Sequence, residues 1–198
     1  MNKARLEAFS DGVLAVIITI MVLELKAPAG ASLDALRGVL PTFCAYTLSF
    51  VVVGIYWNNH HHMLHAADRI NGASQWANLH LLFWLSLVPF TTNWMGDHYT
   101  EAWPTAVYGA VLIMAACAYT LLQTILIRAS GAHSRLRHAV GSDAKGKLSI
   151  ACYATAIAAA FFMPWIADAL YVLVAAIWFV PDRRIETELR PTSPPTAR

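Results

Sequence analysis

Long apolar blocks, separated by short clusters of Lys, Arg, His, Asp and Glu, run through most of this chain. A helix rising about 1.5 Å per residue needs about 20 mostly apolar residues to cross a hydrocarbon core of about 30 Å. Six blocks meet that length or approach it: Leu6 to Leu25, Val39 to Asn58, Ser74 to Trp94, Trp103 to Ile127, Leu148 to Met163 and Pro164 to Val180. The last two are short, but a single helix through both would measure about 50 Å, far beyond the core thickness. Pro164, Trp165 and Asp168 therefore mark a tight outer hairpin between two spans. The chain is 58% hydrophobic and 13% charged, whereas a water-soluble domain is about one quarter charged. The expected fold is all-α and integral to a membrane, with six transmembrane helices in residues 1–181. Residues 182–198, with Arg190-Pro191-Thr192-Ser193-Pro194-Pro195-Thr196, are too polar and proline-rich to pack and read as a disordered cytoplasmic tail.

Charge placement gives the orientation, because cytoplasmic loops retain Lys and Arg. With the N-terminus inside, only Lys26 and Arg37 of the 14 Lys and Arg residues fall on the outer side. Both termini are therefore expected in the cytoplasm. The first apolar block, preceded by Lys3 and Arg5 and followed by Ala27-Pro28-Ala29-Gly30, imitates a cleavable secretory signal. Glu7 and Asp11 within the basic region, and Glu24 and Lys26 beside the would-be cleavage site, argue against that reading. A net charge of +2 gives nucleic acid no support as a partner. Cys44, Cys117 and Cys152 each sit inside an apolar block without CxxC spacing and read as small buried hydrophobes.

Ionisable groups are the informative ones in an apolar span, since each costs several kcal/mol, on the order of 3, unless paired or hydrated. The first helix opens Arg5-Leu6-Glu7-Ala8-Phe9-Ser10-Asp11-Gly12 and continues Val13-Leu14-Ala15-Val16-Ile17-Ile18-Thr19-Ile20. At about 100° per residue, Phe9, Gly12, Val16, Thr19, Ile20 and Leu23 share one direction, while Ser10 and Asp11 point elsewhere. The result is an apolar stripe bearing one hydroxyl, on a helix whose carboxylate faces its neighbours. The run Arg-x-x-x-Phe-Ser-Asp at 5–11, followed by Gly-Val-x-Ala-x-x-x-Thr, resembles the signature of the transmembrane protein 175 family, endolysosomal and prokaryotic potassium channels. Tyr56-Trp57-Asn58-Asn59-His60-His61-His62 and Pro89-Phe90-Thr91-Thr92 agree with that resemblance.

The resemblance implies a six-helix channel unit that assembles as a homotetramer in a prokaryotic cell membrane. One Phe-Ser-Asp per chain requires four copies for a four-fold pore. It further implies that the first helices surround the axis, with Val16, Thr19, Ile20 and Leu23 lining it and Val16 at the position of a hydrophobic constriction. Potassium is then the permeant ion and no cofactor is implied. The chain has no Thr-Val-Gly-Tyr-Gly run, so a carbonyl-lined selectivity-filter loop is not expected.

Arg5, Phe9, Ser10, Asp11, Asn58 and His80 form the expected internal network: Arg5 neutralises Asp11, Ser10 adds a hydrogen bond, and His80, at mid-helix, joins them. The competing reading of Asp11 and His80 is a proton path, in a proton-coupled secondary transporter or a proton-permeable channel. His61 and His65, at i and i+4, have metal-chelating spacing but no Glu-x-x-His partner, so no metal site is assigned and pH sensing stays open. Trp57, Trp94, Trp103, Trp165 and Trp178 fall near block ends, where indole rings anchor at the membrane interface. No phosphate loop, nucleophile elbow or Cys-His pair at useful spacing appears, so the chain does not read as an enzyme.

Overall fold

A computed structural model describes residues 3–131, 136–137 and 144–179; the expected tail at 182–198 lies outside them. Among the described residues the regular structure is all helix, with no strand. Its helices are α1 (Lys3–Leu23), α2 (Leu33–Gly38), α3 (Leu40–Ala66), α4 (Gly72–Ser86), α5 (Val88–Asp97), α6 (Ala102–Ser130), α7 (Ala144–Ala160) and α8 (Pro164–Phe179). Three of these, α1, α3 and α6, are long and apolar enough to cross a membrane, and α8 is a shorter apolar helix.

The boundaries follow from local chemistry. Asn71 starts α4 by accepting the Ser74 N–H at 2.9 Å, and Ser32 caps α2 in the same way from Ala35. The third expected span is broken: α4 stops at Ser86 and α5 restarts at Val88, because Pro89 has no N–H to donate to the preceding turn. The second span is longer than expected, since α3 continues two turns past Asn58 and carries the histidine run on helix. The last two blocks are separate helices joined by Phe161, Phe162 and Met163, with Pro164 opening α8. Gly131 ends α6 at φ +94°, a backbone conformation that favours glycine.

The centre of the bundle is α6, which packs on α4 and α7, while α8 covers α7 and α5 packs on α3. Two apolar cores result. One joins α1, α4 and the C-terminal half of α6 through Leu6, Leu14, Leu81, Leu85 and Leu122. The other joins α3, α6, α7 and α8 through Val52, Leu112, Tyr153, Ala156 and Tyr171. Cys44 and Cys117 lie on the exposed surface of the protomer, not within these cores, and Cys152 is half-buried; all three are free.

Close helix contact depends on missing side chains at two places. Gly96 meets Thr42 backbone, where an added Cβ would lie 2.7 Å from Thr42 Cα. At Gly109 an added methyl would overlap the Tyr171 hydroxyl, which crosses there to donate to the Thr105 carbonyl at 2.9 Å. In an apolar medium such small-residue contacts let helices approach closely and gain dispersion. Gly109→Ala is expected to destabilise the fold by about 1–3 kcal/mol through overpacking, read as a lowered unfolding temperature in detergent. Because the added Cβ also meets Ile157 and the Tyr171 ring at 2.9 Å, the Gly109→Ala, Tyr171→Phe double variant is expected to recover only part of the loss.

Candidate functional site

The α1 helix is held by one face only. Leu6, Ser10, Leu14, Ile17 and Met21 recur at three- and four-residue spacing and are buried against α3, α4 and α5. The opposite side carries the apolar stripe, and it is uncovered: Val16 is 55% exposed, Ile20 42% and Leu23 81%, with Phe9, Gly12 and Thr19 also exposed. Leaving a row of large aliphatic side chains uncovered for the length of a helix is what marks this surface. It is either lipid-facing or incomplete without other copies of the chain.

Thr19 gives the stripe its one polar feature. Its hydroxyl donates to the Val16 carbonyl at 2.8 Å, so its single proton is committed to its own helix. The remaining oxygen lone pairs stay on the exposed side, where they can accept from water or ligate a cation. Val16 lies one turn before it and Leu23 one turn after. A dehydrated cation passing along this face would meet apolar methyl groups, then an acceptor oxygen, then methyl groups again.

Behind the stripe, a buried chain of hydrogen bonds ties α1 to two neighbours. Ser10, fully buried, donates to the Leu6 carbonyl at 2.9 Å; Asn78 Nδ2 of α4 donates to Ser10 Oγ at 2.9 Å. Asn78 Oδ1 is 2.6 Å from His60 Nε2 of α3, so the amide oxygen must accept and Nε2 carries the proton. Every donor in this chain points toward α1. The histidine in it is His60, and not His80 as the sequence suggested. His80 is exposed and accepts the Trp84 indole N–H at 2.9 Å, one turn along its own helix. Asn78 and His80 are two residues apart, which turns them about 200° from each other on a helix, so only one can face the core.

The rest of the expected network also rearranges. Arg5 is exposed and makes no ion pair to Asp11. The partner of Asp11 is Trp57, whose Nε1 donates to Asp11 Oδ1 at 3.0 Å. Neutralisation by Arg5 is replaced by a hydrogen bond because the Trp57 indole, on α3, lies beside the flank of α1 that carries Asp11. Trp57 is therefore an interhelical strut, and because α3 runs on to Ala66 it does not lie near a helix end as the sequence suggested; Trp178 likewise spends its indole N–H on Ser149 at 2.7 Å. Asn58 is half-buried beside Phe50, Gly54 and Trp178, away from the Ser10 chain. Phe9 stands on the exposed stripe rather than in the polar network.

At the same end of the bundle, His61 Nδ1 meets Glu7 Oε1 at 2.7 Å and stacks on His65 with ring centroids 6.2 Å apart. Lys3 Nζ donates to the carbonyls of His65 and Ala67, at 2.7 and 3.0 Å. The histidine run thus clips the start of α1 to the end of α3. Among the described residues, no group of three His, Cys, Asp or Glu side chains is placed to hold a metal ion.

The profile of the family described as endosomal/lysosomal potassium channel TMEM175 matches residues 5–89, which span α1 and the Ser10, His60 and Asn78 chain. A potassium channel of Chryseobacterium sp. is 55% identical over 96% of this chain and 99% of its own length. A potassium channel of Streptomyces collinus is 36% identical over 65% of this chain and 66% of that one. Among solved structures, the crystal structure of a lysosomal potassium-selective channel TMEM175 homolog from Chamaesiphon minutus superimposes with a TM-score of 0.81. It shares 25% identity and covers 91% of this chain and 97% of that chain.

Proposed function

The chain belongs to the TMEM175 family of potassium channels, and from that premise we propose that four copies enclose a central pore lined by the uncovered stripe of α1. The observation that carries this reading is the exposure of Val16, Thr19, Ile20 and Leu23 on a helix whose other face is firmly buried. Potassium moves passively through the pore. Six spans are formed by α1, α3, the broken pair α4 and α5, α6, α7 and α8, with both termini in the cytoplasm of a prokaryote and the channel in its plasma membrane. At 17 and 16 residues, α7 and α8 are shorter than a standard span, and a bilayer accommodates that by local thinning at modest cost.

Selectivity follows from hydration chemistry. A ring of Val16 side chains is a hydrophobic constriction that admits an ion only when part of its water shell is shed. Potassium, the larger ion, holds its shell less tightly than sodium, so its dehydration costs less. The Thr19 oxygens, one turn on, replace some of the lost water oxygens because their protons are already committed to the Val16 carbonyls. Removing that oxygen with Thr19→Ala is expected to lower the potassium-over-sodium permeability ratio about two- to threefold, corresponding to about 0.4–0.7 kcal/mol. Reversal potentials of purified protein in planar bilayers measure it. An unchanged ratio, with conduction intact, would remove Thr19 from the selectivity mechanism.

A further inference from the structure

At its outer end the apolar stripe of α1 runs into a charge. Glu24 follows Leu23 directly, and its N–H donates to the Ile20 carbonyl at 3.2 Å, so the helical path carries on to the carboxylate. At about 100° per residue, Glu24 stands about 40° round the helix from Ile20 and about 80° from Val16. All three line the same open groove. The rise along the axis puts Glu24 about 12 Å beyond Val16.

Among the described residues nothing balances this charge. Glu24 is exposed, and its carboxylate enters no ion pair. Lys26, two residues on, is turned away: its Nζ lies 3.8 Å from Asp97 Oδ2 at the end of α5, where Thr42 also donates to Oδ1 at 3.2 Å. Arg37, the other cation of the outer segments, is 2.8 Å from Asp34. Helix stability does not account for Glu24 either. The C-terminal end of a helix carries partial negative charge from its unpaired carbonyls, so a carboxylate there is disfavoured and a cation is attracted. At the end of α1 the two negative sources add, on the side where the stripe opens.

We propose that Glu24 of each copy contributes to a ring of negative charge at the outer mouth of the pore, which concentrates potassium ions ahead of the dry constriction. This rests on the four-copy reading above and adds the residue that governs ion supply. Rings of carboxylates favour cations at a channel mouth by raising their local concentration. Glu24 lies too far from Val16 to touch an ion that is shedding water there, so it acts on the hydrated ion before dehydration. It therefore sets conductance and leaves the choice between potassium and sodium to Val16 and Thr19. The mechanism is also salt-dependent. The field of the ring reaches about 30 Å at about 0.01 M salt and about 3 Å at about 1 M, so the enrichment present in dilute solution disappears in concentrated solution.

The test is single-channel recording from the full chain in planar bilayers, at about 0.01 M and about 1 M potassium chloride. In the dilute solution Glu24→Gln is expected to conduct about threefold less than wild type, and in the concentrated one equally. Glu24→Asp, which keeps the charge, retains wild-type conductance at both. The potassium-over-sodium permeability ratio stays unchanged throughout. Asp34→Asn removes an outer carboxylate that is already paired with Arg37, and it is expected to leave the dilute-solution conductance as it was. Equal conductance of wild type and Glu24→Gln in dilute solution would overturn the ring. So would a deficit that persists at about 1 M, or the same deficit in Asp34→Asn, since these mark a distorted pore and a diffuse surface charge respectively. Val16→Asn, recorded alongside, separates this inference from the pore reading. If Val16→Asn alters conduction and Glu24→Gln does not, the ring alone is refuted; if neither alters it, the pore reading falls as well.

Discussion

Val16→Asn is expected to raise potassium flux through the purified channel in liposomes by tenfold or more and to lower its preference over sodium. The reasoning starts from wetting. In the proposed four-copy pore, four isopropyl groups facing one another across the axis exclude water unless the ring widens, so the barrier to an ion includes the cost of passing a dry segment. Asparagine is one atom longer than valine, but it replaces methyl groups with an amide that donates and accepts hydrogen bonds, so the gain from wetting the ring outweighs the added length. Because every substitution is made in all four copies, a small change per side chain adds up, and lowering the barrier by about 1.4 kcal/mol gives the tenfold rise. Sodium gains more than potassium, because the removed penalty was larger for the ion that holds water more tightly. Val16→Ile acts in the opposite direction by one methylene per copy and is expected to reduce flux. Repeating the exchange at Ile20 and Leu23 locates the narrowest level: the ring whose polar replacement raises flux most is the constriction. Equal flux in wild type and all three asparagine variants, each shown to be tetrameric, would place the conduction path elsewhere.

Much of the architecture was legible because apolar blocks in a membrane chain must either be helices or leave backbone groups unsatisfied. The separation of α7 from α8 followed from length alone, and the uncovered stripe of α1 followed from its period. What did not emerge was any detail that depends on how two helices are rotated against each other. Choosing His80 as the buried histidine used its position along the helix and ignored its angle. Ser74, Ala77, Asn78, Leu81, Leu82 and Leu85 define the buried face of α4, and His80 falls outside it; the same argument places His60 with Val53, Met63 and Leu64 on the buried face of α3. That periodicity was present in the sequence and could have found the correct histidine. Two other departures had no such signal. The Trp57 bond to Asp11 depends on the distance between α1 and α3, and an indole near the end of an apolar block reads equally well as an interface anchor. Breaking of the third span at Leu87 is announced by Pro89, but proline kinks many membrane helices without ending them.

Asn78→Leu is expected to cost more in assembly and stability than any other single change in the first-helix motif and its contacts. Asn78 hydrogen-bonds both Ser10 of α1 and His60 of α3, and it lies in α4, so one amide holds three helices in register. Leucine fills nearly the same volume but leaves the His60 Nε2–H and the Ser10 oxygen without partners in a buried site. Interhelical hydrogen bonds in membranes are often modest, averaging about 0.6 kcal/mol, because an unfolded helix finds substitutes. Here the groups left behind remain buried by Leu6, Met63 and Leu81, and a stranded buried donor or acceptor costs about 1–3 kcal/mol each. A loss of about 2–4 kcal/mol is therefore expected, read as a lowered unfolding temperature in detergent and a reduced tetramer fraction. Asp11→Asn is the comparison, since its bond to Trp57 lies at an exposed site and an amide oxygen still accepts the indole N–H; it should lose less than about 1 kcal/mol. The rank order carries the argument. If Asn78→Leu were no more damaging than Asp11→Asn, the knot holding α1 would lie at the carboxylate. The Ser10, Asn78 and His60 chain would then be a consequence of packing achieved by other residues.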